Sequence, residues 1–180
     1  MIIDLRTIPY GTRRFEFCLE KDWWRSDEKN DQILGIDLPL EVRIKIYKAG
    51  DKYVLDGDLS GGLQVLCDRC LEHYHQDLKS EFRVFLALPL PDMDRAEIEL
   101  TEEDMEVGFI RGEEINLDEI IREQVYLSLP MKLLCKEDCL GLCPVCGNNL
   151  NKKRCHCRRE QGHPGFLKLK NLKLKETRIK

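Results

Sequence analysis

The chain has 180 residues, of which 42% are hydrophobic and 34% charged, and its formal net charge is −4. That length allows one ordinary domain with an appendage, or two very small domains, and excludes an assembly of large domains. No apolar run reaches the roughly 18 residues of a membrane span, and Asp4 and Arg6 interrupt the N-terminal apolar residues, so we expect a cytoplasmic protein without a secretory signal.

Residues 1–90 are predicted to form a β-rich domain. Beyond residue 38 apolar and charged side chains alternate with the period of two that is typical of a half-buried strand. The apolar members of the clearest run are Leu40, Val42, Ile44 and Ile46. With a turn at 49–51 and another apolar run at 78–88, the pattern predicts three or four neighbouring antiparallel strands, as a meander or a small barrel.

Three further features of this region have weaker patterns. Gly57 and the pair Gly61-Gly62 are expected to break the strand that contains them. Residues 5–8 could form an additional strand, and residues 22–32 are expected to form a polar loop. Its two tryptophans, Trp23 and Trp24, are interpreted as hydrophobic anchors rather than as platforms for nucleobases.

Residues 91–115 are predicted to be an acidic linker, because Pro91 to Glu123 contains 13 acids and three arginines. Residues 116–130 are predicted to form a helix that packs on the sheet. Asn116 is a suitable N-cap, with Glu119 as its capping-box partner, and Pro130 ends the segment.

Eight of the nine cysteines are clustered in the sequence, and only Cys18 lies apart. A reducing cytoplasm disfavours structural disulfides, so clustered thiols there indicate metal binding. In Cys143-Pro144-Val145-Cys146-Gly147, proline restricts one backbone angle and glycine permits a sharp turn after the second thiol. Such a turn directs backbone N–H groups toward the sulfur atoms and offsets their charge.

Eight thiolates suffice for two tetrahedral zinc ions, although one ion is also possible. The preferred partition has a first cysteine group (Cys67, Cys70, Cys135 and Cys139) and a second cysteine group (Cys143, Cys146, Cys155 and Cys157). The first group closes a loop of 64 residues between Cys70 and Cys135. The cost of closure grows only logarithmically with length, and structural zinc contributes on the order of 10 kcal/mol. Crossed pairings, or one filled site beside four free thiols, remain open.

Residues 131–160 are thus a predicted metal-binding segment, and residues 161–180 a basic tail. Lys152 to Lys180 contains 11 lysines and arginines against two acids, a pattern suited to contact with the phosphates of a nucleic acid. The candidate contact residues are Lys152, Lys153, Arg154, Arg158, Arg159, Lys168, Lys170, Lys173 and Lys175. The expected fold class is α+β, with a meander or small barrel, one packed helix, a cysteine-rich zinc segment and the tail.

Four stretches of the chain are distinctive together. They are the Leu66-Cys67-Asp68-Arg69-Cys70-Leu71-Glu72 run, a helix ending in Leu127-Ser128-Leu129-Pro130, the stretch from Cys139 to Asn151 and the Leu/Lys tail. With these stretches the chain resembles the YceD family, whose members are linked to accumulation of large-subunit (23S) ribosomal RNA. The resemblance covers about residues 36–175. It implies a metal-binding protein of ribosome biogenesis whose partner is ribosomal RNA or an assembling large subunit, and it supplies no catalytic residues.

The sequence contains no Ser/His/Asp set, phosphate-binding glycine loop or paired carboxylates in a defined context, so we expect neither an enzyme nor a small-molecule substrate. Our main hypothesis is that zinc holds the β-rich body to the C-terminal segment and presents the basic tail to RNA. A redox-regulated chaperone or sensor is the first alternative, because thiolate–zinc sites release metal on oxidation. A zinc-ribbon adaptor that binds only protein is the second.

Overall fold

The computed structural model of the chain describes residues 1–8, 11–24, 32–88, 107–110 and 112–157. The chain divides into two compact units. The first unit comprises Met1–Asp68 and Glu72–Cys135, and the second comprises Arg69–Leu71 and Lys136–Lys180.

The strands and the α-helix of the described residues all belong to the first unit. In chain order they are β1 (Ile2–Asp4), β2 (Thr12–Leu19), β3 (Ile33–Ala49), β4 (Lys52–Leu66), β5 (His73–Ala87), β6 (Val107–Phe109), β7 (Glu114–Asn116) and α1 (Leu117–Ser128). Single turns of 3₁₀-helix occupy Leu5–Thr7 and Lys21–Trp23.

A five-stranded sheet forms the body of the first unit. Strands β2, β3, β4 and β5 pair antiparallel in sequence order, and β6 joins β5 in parallel. The predicted α+β class, with an antiparallel meander and one helix, is confirmed. The parallel strand at one side makes the sheet mixed, which the sequence pattern does not predict.

The alternation along β3 places one face of the sheet in the core. Leu40, Val42, Ile44 and Ile46 are at most 3% exposed, whereas the charged residues between them are exposed. Helix α1 adds three buried side chains to the same core, from Leu117, Ile121 and Val125. Burying an aliphatic side chain of this size contributes about 1.5–3 kcal/mol, so this face is the main source of stability in the unit.

The prediction that glycines break the strand after the first hairpin was wrong, because β4 runs without interruption from Lys52 to Leu66. The glycines instead allow close approach. A Cβ atom at Gly57 would lie 2.3 Å from the ring of Phe82, and one at Gly61 would lie 2.6 Å from the backbone oxygen of Pro39. The β3 strand is irregular beside Gly61, with a register shift between Leu38 and Glu41.

The N-terminal residues also differ from expectation. The strand lies at Ile2–Asp4, and the 3₁₀ turn at Leu5–Thr7 replaces the strand predicted for residues 5–8. The Asp4 side chain caps this turn by accepting a hydrogen bond from the Arg6 backbone N–H at 2.9 Å. Strand β2 at Thr12–Leu19 has no counterpart among the predicted elements.

One strand lies inside the range 91–115 that is predicted to be a linker, and a second overlaps its end. Val107 of β6 pairs with Phe85, and Ile115 of β7 pairs with Ile3 of β1. Ile115 is 3% exposed, so burial of an apolar side chain stabilises a short strand in a mostly acidic stretch. Residues 91–106 of the predicted linker lie outside the described residues.

Helix α1 begins as predicted. The Asn116 side chain accepts a hydrogen bond from the Asp118 backbone N–H and donates one to Glu119 at 2.9 Å. The helix ends at Ser128, two residues before Pro130. Because proline disfavours a helical conformation in the residue before it, this position of the end is expected.

The tryptophans of the first unit anchor the chain against α1. Trp24 is 5% exposed and its ring packs against Tyr126, with 5.4 Å between ring centroids. Trp23 donates a 2.6 Å hydrogen bond from Nε1 to Asp118, and the Arg122 guanidinium lies 4.7 Å from the Trp24 ring centroid. These contacts agree with the interpretation of the pair as anchors.

None of the helices in the described ranges combines the length and the apolarity needed to cross a membrane.

Candidate metal centre

The turn at Cys143–Gly147 is built by its own backbone. The N–H of Cys143 donates to the carbonyl of Asn148 at 2.8 Å, and the N–H of Gly147 donates to the carbonyl of Cys143 at 2.8 Å. Gly147 has a φ of 73°, which the missing Cβ atom allows without strain. The result is a tight loop that places two thiols on one side.

The lone Cys67–Cys70 motif forms a turn that shares two of these features. The N–H of Cys67 donates to the carbonyl of Glu72 at 3.0 Å. In both turns, the first cysteine thus donates to the residue five positions later in the chain. Leu71 occupies the position of Gly147 and also has a positive φ, of 57°. Two different sequences therefore adopt similar turns, and one of them does so with a strained leucine.

The structure brings the eight clustered thiols together in two sets, which are the first and second cysteine groups of the preferred partition. Within each group the four sulfur atoms lie within 4.8 Å of one another. Four thiolates around zinc at ~2.3 Å would be about 3.8 Å apart, so at most a small contraction of either group would be needed. Each group could hold one metal ion, and Cys18 is exposed and belongs to neither.

The two groups differ in their exposure to solvent. In the first group three thiol residues are buried and only Cys135 is partly accessible. In the second group Cys143 is buried, Cys155 and Cys157 are partly accessible, and Cys146 is exposed.

Electrostatics in the second group favour a thiolate at one position. The backbone N–H groups of Cys146 and Val145, with help from the Cys155 thiol, lower the pKa of Cys143 to about 6. A hydrogen bond with Cys146, followed by burial, raises the pKa of Cys157 to about 12. Filling the group with a metal would therefore displace protons, most of all from Cys157.

The residues between Cys67 and Cys70 position the chain near the other two thiols of the first group. The Asp68 carboxylate accepts a 2.7 Å hydrogen bond from the N–H of Leu133, two residues before Cys135. The Arg69 guanidinium donates to the carbonyl of Cys139 at 2.9 Å. Sequence reasoning missed both residues, because exposed charged side chains between two cysteines carry no distinctive signal.

Asn151 contacts a sulfur atom of the first group. Its Nδ2 donates to Cys139 Sγ at 3.3 Å and to Asn149 at 2.9 Å, and its Oδ1 accepts from the N–H of Leu140 at 2.9 Å. A hydrogen bond to a sulfur ligand stabilises its negative charge and fixes its direction. Asn151 ends the family-like stretch of the sequence, but sequence reasoning gives it no role.

Replacing Asn151 with alanine should weaken metal binding by the first cysteine group about 10- to 100-fold, the usual effect of losing a hydrogen-bonding partner of a ligand. Competition with a chromophoric chelator measures this. The matched control is Asn148→Ala, because Asn148 is exposed and supports its turn through its backbone carbonyl. Equal affinity in the two variants would contradict a role for the Asn151 side chain.

Three of the candidate nucleic-acid contacts lie in the described part of the second unit. Lys152, Lys153 and Arg154 are exposed and follow the turn that contains Asn149 and Asn151. The remaining candidates, Arg158, Arg159, Lys168, Lys170, Lys173 and Lys175, lie outside the described residues.

Comparison with known proteins gives one family. Residues 55–173 match the sequence profile described as large ribosomal RNA subunit accumulation protein YceD, a range that includes all eight clustered cysteines. A chloroplastic large ribosomal RNA subunit accumulation protein YCED homolog 1 of Arabidopsis thaliana is 29% identical over 156 residues, covering 75% of this chain and 49% of the relative. An uncharacterized protein of Mycobacterium tuberculosis is 34% identical over 142 residues, covering 77% and 65%.

The chain thus spans about half to two thirds of the length of these curated relatives. No solved structure matches the chain.

Proposed function

Since the chain belongs to the YceD family, we propose that it is a non-catalytic, zinc-binding accessory protein in the accumulation of large-subunit ribosomal RNA. The observation that carries the proposal is the family match itself, which extends through both cysteine groups. The chloroplastic relative is named for the same process.

Zinc is the metal that best suits the donors. Each group offers four thiols and no oxygen ligand, and tetrahedral thiolate sites select zinc or iron–sulfur clusters over magnesium or calcium. A site with four protein ligands has no open position for a substrate or an activated water. The ions therefore act on structure, and the ion of the first group closes the chain between Cys70 and Cys135.

The partner in this proposal is ribosomal RNA or an assembling large subunit. The residues from Lys152 to Lys180 have nine more positive than negative charges, from 11 lysines and arginines less two acids. Such a segment binds phosphates without reading the base sequence. In a cell, depletion of the protein should lower the amount of mature large subunit.

Binding of purified protein to single-stranded RNA should weaken steeply as salt rises, because phosphate contacts release counterions. Replacing Lys170, Lys173 and Lys175 with glutamine should reduce the slope of log affinity against log salt by about 0.7 for each phosphate that the lysines neutralise. The matched control replaces three exposed lysines elsewhere, Lys21, Lys79 and Lys132. Absent or salt-independent binding would remove RNA from the proposal, and recovery of protein partners alone would indicate an adaptor.

One observation favours a second candidate function, a thiolate–zinc redox switch. Cys146 of the second cysteine group is exposed, and accessible thiolates are the ones that oxidants reach. Zinc release by peroxide, coupled to a gain of chaperone activity, would support this alternative over the accessory role.

A further inference from the structure

A connector of three residues, 140–142, separates Cys139 of the first cysteine group from Cys143 of the second. The connector and both of these thiols belong to the second compact unit, as does Cys70. Consecutive Cα atoms are only about 3.8 Å apart, so an ordered connector leaves little freedom for either thiol to move alone. The placement of a ligand in each group therefore depends on the order of the connector.

The connector is hydrogen-bonded to the turn that carries Cys70. The N–H of Leu142 donates to the carbonyl of Arg69 at 2.9 Å, and the Arg69 guanidinium donates to the carbonyl of Cys139 at 2.9 Å. Gly141 is buried with a φ of 72°, and a Cβ atom there would lie 2.9 Å from the Arg69 backbone oxygen. Glycine permits both this backbone conformation and this close approach. The connector is thus fixed to a ligand-bearing turn of the first cysteine group.

The connector also pairs with the loop that joins the two halves of the second cysteine group, residues 147–154. The N–H of Leu150 donates to the carbonyl of Gly141 at 2.9 Å, and Leu142 forms an antiparallel bridge with Asn149. A metal ion at the second cysteine group would hold both ends of this loop. An ordered loop would in turn offer the connector fixed hydrogen-bonding partners.

Asn151 extends this contact from the loop of the second group to a ligand of the first. Its Oδ1 accepts a hydrogen bond from the N–H of Leu140 at 2.9 Å, and its Nδ2 donates to Cys139 Sγ at 3.3 Å. The Asn149 side chain accepts from both the Nδ2 and the backbone N–H of Asn151, at 2.9 and 3.0 Å. The loop of the second cysteine group therefore positions an amide on a sulfur atom of the first.

We propose that the two metal ions bind cooperatively, because the connector becomes ordered when either cysteine group is filled. The second ion to arrive then meets a chain segment that the first has already ordered, and its binding opposes less conformational entropy. Coupling between two sites of one protein is typically about 5- to 150-fold in affinity, and it acts equally in both directions. The inference rests on the proposed function for zinc as the metal, and it concerns how the two sites are loaded.

The test compares zinc affinities of the unmodified full chain with those of two single-site variants, by competition with a chromophoric chelator. Cys146→Ser with Cys157→Ser keeps only the first cysteine group, and Cys67→Ser with Cys135→Ser keeps only the second. All four substitutions lie outside the connector. The product of the two affinities in the unmodified chain should exceed the product of the single-site affinities about tenfold. Each variant should still hold one ion, because a tenfold change is small beside the strength of a structural zinc site.

Asn151→Ala tests whether the coupling passes through the connector. Added to the unmodified chain and to both single-site variants, it should reduce the factor to about threefold or less, since one hydrogen bond is equivalent to roughly a two- to tenfold change. Asn148→Ala is the matched control and should keep the full factor, because Asn148 supports its turn through its backbone carbonyl. A factor unchanged by Asn151→Ala would overturn the role of the connector.

Hydrogen exchange gives a readout that does not depend on affinity. In the variant that keeps only the first cysteine group, added zinc should slow exchange of the Leu150 amide about tenfold, although the group that contains this loop cannot bind. Slow exchange of amides in β3 and β4 verifies that the first unit is folded.

The outcomes separate this inference from the proposed function. Equal products of affinity, with no change in exchange at Leu150, would mean that the ions bind independently, which overturns the inference and leaves a zinc-binding accessory protein. A factor below one would overturn it as well, since one ion would then hinder the other. A chain that binds zinc at neither cysteine group would overturn both.

Discussion

Serine in place of Cys139 should leave the chain with one bound zinc ion instead of two and should lower its melting temperature sharply. Cys139 is 2% exposed and its sulfur lies within 4.8 Å of the other three of the first cysteine group. A hydroxyl is a poor zinc ligand, and a structural zinc site contributes on the order of 10 kcal/mol. Because that is as large as the whole stability of many domains, loss of the ion should partly unfold the protein.

Mass spectrometry measures the number of bound metal ions, and thermal unfolding measures the melting temperature. Cys18→Ser is the control, because Cys18 is exposed and lies outside both groups. Cys143→Ser should also reduce the count from two ions to one, since it breaks the other group. Two ions retained in Cys139→Ser would refute the partition, and iron in the freshly purified protein would refute zinc.

Alanine in place of Gly61 should lower the free energy of unfolding by about 3 kcal/mol, the upper end of the usual cost of overpacking. The added Cβ atom would lie 2.6 Å from the backbone oxygen of Pro39 and 3.0 Å from the Cα of Leu40. Backbone atoms cannot move aside as the end of a flexible side chain can. The pairing of β3 with β4 must therefore shift to relieve the contact.

Urea denaturation of the Gly61→Ala and Gly35→Ala variants measures the free energy of unfolding of each. Gly35 is the matched control, because it lies in β3 and an added Cβ atom there meets nothing within 4 Å. Gly35→Ala should be neutral or slightly stabilising, since alanine restricts the unfolded chain. Equal stability of the two variants would show that the close approach at Gly61 is unimportant.

The body of the sheet was predictable where burial leaves a local pattern. The alternation from Leu40 to Ile46 identifies β3 because each apolar residue faces the core and each charged residue faces water. Gly61 misled the prediction because a strand breaker and a site of close approach look alike in a sequence. What distinguishes them is the neighbour, here Pro39, which the sequence places 22 positions away.

The short strands could not be predicted for a related reason. Ile3 and Ile115 pair across 112 positions of sequence, and neither has enough neighbours in its own strand to show a period. The sequence shows the apolar residue that stabilises such a strand, but it does not show which residue of another strand pairs with it. Strand pairing at this distance is decided by the assembled core and not by local propensity.

The grouping of the eight thiols into two sets was better predicted than the surroundings of those sets. Spacing alone suggests which thiols share an ion, because two thiols in one tight turn reach the same point. Asn151 has no such signature, because its role depends on contact with Cys139 across 12 positions. Leu71 is harder still, since nothing in its chemistry favours the backbone conformation that glycine adopts in the companion turn.

The unequal burial of the two cysteine groups has a consequence for how the protein would be damaged and repaired. In the proposed zinc-loaded protein, an oxidant such as peroxide would encounter Cys146 well before it reached Cys67, Cys70 or Cys139. The chain would then pass through a half-loaded form that keeps its inner ion. Recovery from that form would require only a reductant and fresh zinc, whereas loss of the inner ion would require the chain to fold again.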